Sequence, residues 1–169
     1  MISVKNLTKY YGDFQALKGI SFEIKSGEIV GILGPNGAGK STTLRILTCY
    51  FNPTSGDAII DGKSILDEEN NVKKIIGYLP ESAPLYNDMC VFDYLVYMAD
   101  IQELERSKLN ERLHYVVNVC GLKEVISKPI GELSKGYKQR VGLAGAIIHD
   151  PKILILDEPT NGLDPNQIV

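Results

Sequence analysis

Apolar and polar positions alternate with a period of two over ISVKNLT (2–8) and again over ALKGISFEIKSGE (16–28). The spacing predicts two half-buried strands, the second ending at a Ser-Gly turn. EIVGILG (28–34) breaks the alternation with a nearly continuous apolar run. Such a run predicts a short strand buried on both faces. A glycine-rich loop follows, and STTLRILTCY (41–50) reads as a helix. GDAIIDGKSI (56–65) then predicts a strand folding back around an Asp-Gly turn, and KKIIGYL (73–79) predicts another strand.

Between Val91 and Gly121 the period changes. Leu109, Leu113, Val116, Val117 and Cys120 fall on one face of a helix, with Gly121 placed as its C-terminal cap. Residues 82–130 therefore read as a mostly helical insert between two sheet-forming parts. Ser134 is placed as the N-cap of a further helix with Val141, Ala144, Ile147 and Ile148 on its inner face. KILILDE (152–158) predicts a buried strand, and DPNQIV (164–169) has Asp and Pro positioned to begin a helix. The expected fold is α/β, with a sheet core from residues 1–81 and 131–169 and a helical subdomain over 82–130.

Composition narrows the function classes. A chain of 169 residues fits one domain with a substantial core, at 44% hydrophobic and 23% charged residues. A net charge of −3 argues against general nucleic-acid binding, which needs a concentrated basic face. No apolar run reaches the roughly 20 residues that cross a bilayer, and MISVKNLTKYYG lacks the apolar region of a signal peptide. Cys49, Cys90 and Cys120 are odd in number, widely spaced and free of any CxxC pairing, so they read as reduced, mostly buried thiols.

Two motifs carry chemistry. GPNGAGKS (34–41) matches G-x-x-x-x-G-K-[ST]. Its glycines allow successive backbone N–H groups to turn inward around a polyphosphate, and the helix that follows offers its positive end. Lys40 is placed to reach the β- and γ-phosphates, and the Ser41 hydroxyl to ligate Mg²⁺. ILILDE (153–158) ends an apolar strand in two carboxylates. A carboxylate there calls for a neutralising partner, and a Mg²⁺ shared with Ser41 supplies one for Asp157. Glu158, one residue on, is placed to orient a hydrolytic water. An acidic strand end is weak evidence alone; paired with the phosphate loop it becomes the expected second half of a nucleotide site.

With LSKGYKQR (133–140) standing between these motifs, the chain resembles the nucleotide-binding domain of ATP-binding cassette (ABC) proteins from Met1 to Val169. The resemblance implies a P-loop NTPase core of mixed sheet and helices, an antiparallel β subdomain and a helical subdomain. It implies ATP and Mg²⁺ as cofactors, with the nucleotide held by Gly34, Pro35, Asn36, Gly37, Ala38, Gly39, Lys40, Ser41 and Thr42. Tyr11, in KYYGD, matches the aromatic that stacks on adenine, with Ala16 near the same base. LSKGY resembles the family signature Leu-Ser-Gly-Gly-Gln, so Ser134, Lys135 and Gly136 are expected to meet the γ-phosphate of ATP held by an opposite subunit. NGLDP (161–165) places Asp164 at the dimer contact. GYLPE (77–81) puts Glu81 where the family has a glutamine that touches Mg²⁺ and water and couples to the transmembrane partner.

Two departures stand out. Position 81 is Glu, whose extra charge is expected to make the loop more dependent on the metal. The family's switch histidine falls beyond Val169, and His114 and His149 precede the acidic strand and cannot replace it, so the chain reads as a partial domain. The resemblance implies an ATPase subunit, catalytic through Glu158, peripheral on the cytoplasmic face of the membrane. It would pair head-to-tail with a second ATPase subunit and drive a separate transmembrane permease, most like export-type members. The competing class is a soluble cassette ATPase acting on ribosomes or DNA. The short 42–132 separation of phosphate loop and signature disfavours the DNA-acting kind, and the single cassette disfavours the ribosomal kind. A nucleotide-gated scaffold is disfavoured because Asp157 and Glu158 are both present.

Overall fold

The structure, a computed structural model, describes residues 1–159. The helix start expected over 164–169, and Asp164 with it, lie outside the described residues. The chain divides into two compact units, Met1–Ile75 and Ile76–Val169.

In the first unit the alternating stretches form β1 (Ile2–Tyr11) and β2 (Phe14–Ile24). They are joined by β3 (Ser55–Ile60) and β4 (Lys63–Ser64) into an antiparallel sheet of order β2-β1-β3-β4. In β1, Ile2, Val4 and Leu7 are buried although Leu7 has the opposite parity. The register shifts between Val4 and Leu7, with Asn6 in the left-handed region, so one extra residue returns Leu7 to the core face. The Asp-Gly turn is where the sequence puts it: Asp61 and Gly62 connect β3 to β4, both with positive φ. Helix α1 (Lys40–Leu47) buries Thr43, Ile46 and Leu47, and a short helix α2 (Glu69–Lys73), not anticipated, buries Val72.

One expectation fails in this unit. Residues 28–34 form no strand and are not buried: Ile29 is 104% and Leu33 94% exposed. The segment instead leaves a turn in which Glu28 N–H donates to the Lys25 carbonyl and the Glu28 carboxylate accepts from Lys25 N–H. A strand needs a neighbour for its row of N–H and C=O groups, and among the described residues none pairs with this one.

In the second unit β5 (Ile76–Leu79) and β6 (Ile153–Leu156) pair in parallel, Ile76 opposite Ile153 and Leu79 opposite Leu156. A parallel pair needs a long crossover, and here it contains α3 (Val91–Ile101), α4 (Arg106–Val119) and α5 (Lys135–Ile147). Their apolar faces share one core, including Val91, Leu95, Val116, Val141, Ala144 and Ile148. The predicted face of α4 holds: Leu113, Val116 and Cys120 are buried, with Leu109 and Val117 packed partly buried against them. Gly121 has φ 63°, and Leu122 N–H donates to the Val117 carbonyl while Gly121 N–H donates to that of Asn118. These two bonds close a glycine-capped helix end. Among the described residues no helix is long and apolar enough to cross a membrane. All three cysteines are free, and burial pushes the thiols of Cys49 and Cys120 up to about 11.

Candidate nucleotide site

The phosphate loop runs directly into α1. Ala38 N–H donates to the Pro35 carbonyl at 3.2 Å, closing the turn, and Gly37 and Gly39 adopt φ of 80° and 87°. Those angles suit glycine and are strained for other residues. At Gly39 space is limiting as well: a methyl there would stand 2.5 Å from Cδ2 of Leu17 and 2.7 Å from the carbonyl oxygen of Ala16. Ala16 is thus brought against the end of the loop. The Gly39 carbonyl accepts from both Thr43 N–H at 2.8 Å and the Thr43 hydroxyl at 2.9 Å, fixing the first turn of α1.

Gly34 through Ala38 are exposed, and Lys40, Ser41 and Thr42 are half-buried at the start of the helix. Lys40 Nζ folds back to donate to the carbonyls of Gly34 at 2.8 Å and Pro35 at 3.0 Å. Its ammonium is therefore held over the loop, beside a helix N-terminus that favours anions.

Tyr11 ends β1 and is 43% exposed, enough ring to offer a face to a base. Its ring packs edge-on against Phe51 at 6.2 Å, and the Lys9 ammonium lies 5.4 Å from it. Neither Phe51 nor Lys9 was marked by sequence pattern. They are single residues 42 positions apart in the chain, and only the packing of β1 beside the end of α1 unites them.

The acidic residues lie in the second unit. Asp157 is 5% exposed, and its N–H donates to the Leu79 carbonyl at 2.9 Å, extending the pairing of β5 and β6 by one step. Glu81 leaves the carboxyl end of β5 as Asp157 leaves that of β6, the end where open parallel sheets bind ligands. Glu158 is exposed with φ 50°. The left-handed region costs a non-glycine residue about 1 kcal/mol, and such strain clusters where function requires it. Among the described residues no three His, Cys, Asp or Glu side chains converge as a metal cluster. The oxygen donors Ser41, Asp157 and Glu81 are of the hard kind that Mg²⁺ takes, alongside phosphate oxygens and water.

Ser134 is the N-cap of α5, as its sequence position predicts; its Oγ accepts from Tyr137 N–H at 3.4 Å. Ser134 and Lys135 are exposed and Gly136 is half-buried, leaving the helix start open to solvent. The other end of α5 is tied down by Arg112, which sequence reasoning missed. Its guanidinium donates to the carbonyls of Ile147 at 2.7 Å and Ile148 at 3.0 Å and pairs with Asp150 at 3.0 Å. Beside it, His149 Nε2 lies 3.2 Å from the Ile76 carbonyl and donates to it, and Nδ1 is buried without a hydrogen-bond partner. Burial lowers the His149 pKa.

A glycine-rich loop entering a helix, with acidic residues at the carboxyl ends of parallel strands, defines a P-loop NTPase domain. Residues 17–161 match the family described as ABC transporter, and the chain belongs to that family. It is 39% identical over 165 residues to "Probable multidrug ABC transporter ATP-binding protein YbhF" of Escherichia coli (strain K12), covering 98% of this chain and 28% of that protein. It is 37% identical to "Spermidine/putrescine import ATP-binding protein PotA" of Thermotoga maritima, covering 96% of this chain and 44% of that protein. A solved dimer, described as a post-hydrolysis state of the ATP-binding cassette MJ0796 bound to ADP and Pi, superposes with a TM-score of 0.85 at 30% identity. That match covers 98% of this chain and 77% of the solved one. The chain thus spans less than half the length of the two relatives.

Proposed function

We propose that the protein carrying this chain is the ATP-binding and ATP-hydrolysing subunit of an ABC membrane transporter. The observation that carries the reading is the phosphate loop, which turns through Gly37 and Gly39 into α1 with Lys40 held over it. In this reading Gly34 to Thr42 hold the phosphates of ATP, and Tyr11 stacks on adenine with Ala16 beside it. Ser41 of the first unit and Asp157 and Glu81 of the second are the oxygen donors that would hold Mg²⁺, which would neutralise phosphate charge. Glu158 orients the attacking water and takes its proton. Its exposed carboxylate and left-handed backbone suit a residue directed at a ligand.

Ser134, Lys135 and Gly136 complete the site of a second subunit, and Asp164 contacts that subunit. The solved cassette dimer supports this pairing. The 82–130 segment forms the helical subdomain, and with Glu81 it transmits closure to a separate permease, placing the ATPase on the cytoplasmic face of the membrane. Relatives named for multidrug transport and for polyamine import both match, and we favour export on the character of the 77–81 loop and the opening strands. The exposed apolar stretch at 29–33 leads us to expect poor turnover from the 169-residue chain alone.

The test is Glu158→Gln in the full-length protein. It should retain ATP binding and accumulate the closed dimer while turnover falls by two or more orders of magnitude, roughly the contribution of a positioned base. Parental turnover would remove Glu158 from the mechanism. Recovery of the protein with ribosomes and without a membrane protein would favour the soluble class instead.

A further inference from the structure

The loop that carries Glu81 meets α5 closely at Gly142. Half-buried Ala83 lies over Gly142, where a methyl would stand 2.8 Å from Cβ of Ala83 and 2.9 Å from Cδ1 of Leu79. The two neighbours differ in what they can yield. Leu79 can rotate the end of its side chain, but Ala83 has no rotamer, so its Cβ moves only with the loop backbone. The C-terminal half of α5 is held in place by contacts of its own. A methyl on Gly77 of β5 would collide with the Ala146 carbonyl, and Arg112 anchors the carbonyls of Ile147 and Ile148.

The same loop is bonded further along to the segment that leads into Ser134. The Asn87 carbonyl accepts from Gly131 N–H and the Met89 carbonyl from Ile130 N–H, both at 2.9 Å. Tyr86 packs against Tyr94 and Tyr97 of α3, its ring 5.5 Å from that of Tyr97. Residues 81–90 are therefore strapped between α3, α5 and the approach to the α5 N-terminus.

We propose that Gly142 is a positioning residue: its bare Cα is the seat on which Ala83 rests, and that seat sets where Glu81 stands relative to Ser134. The proposal rests on the reading of Glu81 given above. A larger residue at 142 pushes the loop outward, moves Glu81 and strains the two bonds to Ile130 and Gly131. Overpacking of this kind is relieved by removing the atom it strikes, so Ala83→Gly should compensate Gly142→Ala.

The experiment uses the full-length protein as parent, Gly142→Ala, and Gly142→Ala/Ala83→Gly. In ligand-free protein, Gly142→Ala should speed amide exchange at Ile130 and Gly131, and the double variant should restore it. In ATP turnover, Gly142→Ala should lower kcat by about tenfold or more with little change in KM for ATP, as expected of a displaced catalytic loop. The double variant should recover kcat. Unchanged exchange, or a loss of kcat that Ala83→Gly does not repair, overturns the seat. If Gly142→Ala fails to fold, Ala83→Val loads the same contact from the loop side and should give the same two changes. A parent without ATP turnover would defeat the functional reading, while the exchange measurement still decides the seat.

Discussion

Two apolar stretches of similar sequence end differently. ILIL at 153–156 becomes β6, with Ile155 only 6% exposed, whereas the 29–33 stretch IVGIL forms no strand and leaves Ile29 at 104%. Their hydrophobicity does not separate them. What separates them is a partner: β6 pairs with β5 over four residues, and among the described residues nothing pairs with 29–33. Apolar composition states a demand for burial, and only a neighbour with unpaired N–H and C=O groups can meet it as a strand.

The contrast can be broken by placing a carboxylate in each stretch and following urea denaturation of the 169-residue chain. Ile155→Asp buries an uncompensated charge and should cost about 4 kcal/mol. Ile29→Asp adds a charge to a solvated position and should stay within about 0.5 kcal/mol. Equal losses would mean that 29–33 is packed after all.

A smaller effect sharpens how the second unit holds β6 in place. Arg112 satisfies two carbonyls at the end of α5, just before the turn into the strand. Arg112→Ala should cost about 1.5–3 kcal/mol, the range for hydrogen bonds to a charged group. Destabilisation no larger than that of an exposed arginine would show the clamp to be idle.

The smallest effect is pH-dependent. The His149 pKa is lowered in the fold, first by burial and next among the lowering causes by the nearby Arg112 cation, against a raising contribution from its bond to Ile76. The folded state therefore favours the neutral ring. As pH falls below the ordinary value of about 6.5, the unfolded chain takes up the proton first and stability declines. Denaturation midpoints between pH 7.5 and 5 should fall in the parent and fall less steeply in His149→Gln. Parallel slopes would exclude His149 as the source.

Much of this was legible in the sequence because it is local. The phosphate loop, the Asp-Gly turn, the Ser134 cap and the glycine after α4 each depend on a few consecutive residues. What escaped depends on chain segments meeting. The fate of 28–34 turns on a partner strand, the bulge at Asn6 on register against two neighbours, and the Tyr11–Phe51–Lys9 group on β1 meeting the end of α1. Arg112 and Gly142 carry no pattern at all; one is a charge on a helix and the other a small residue, until α4 and the Glu81 loop are laid against α5.

The most direct test of the central claim is binding of MgATP to the full-length protein and to its Lys40→Ala variant, by titration calorimetry at equal pH and salt. If residues 34–42 cradle the phosphates, loss of the Lys40 ammonium should weaken binding by about 10- to 100-fold, the equivalent of one or two charged hydrogen bonds. The same affinity in both proteins would contradict the assignment of this loop as the nucleotide site.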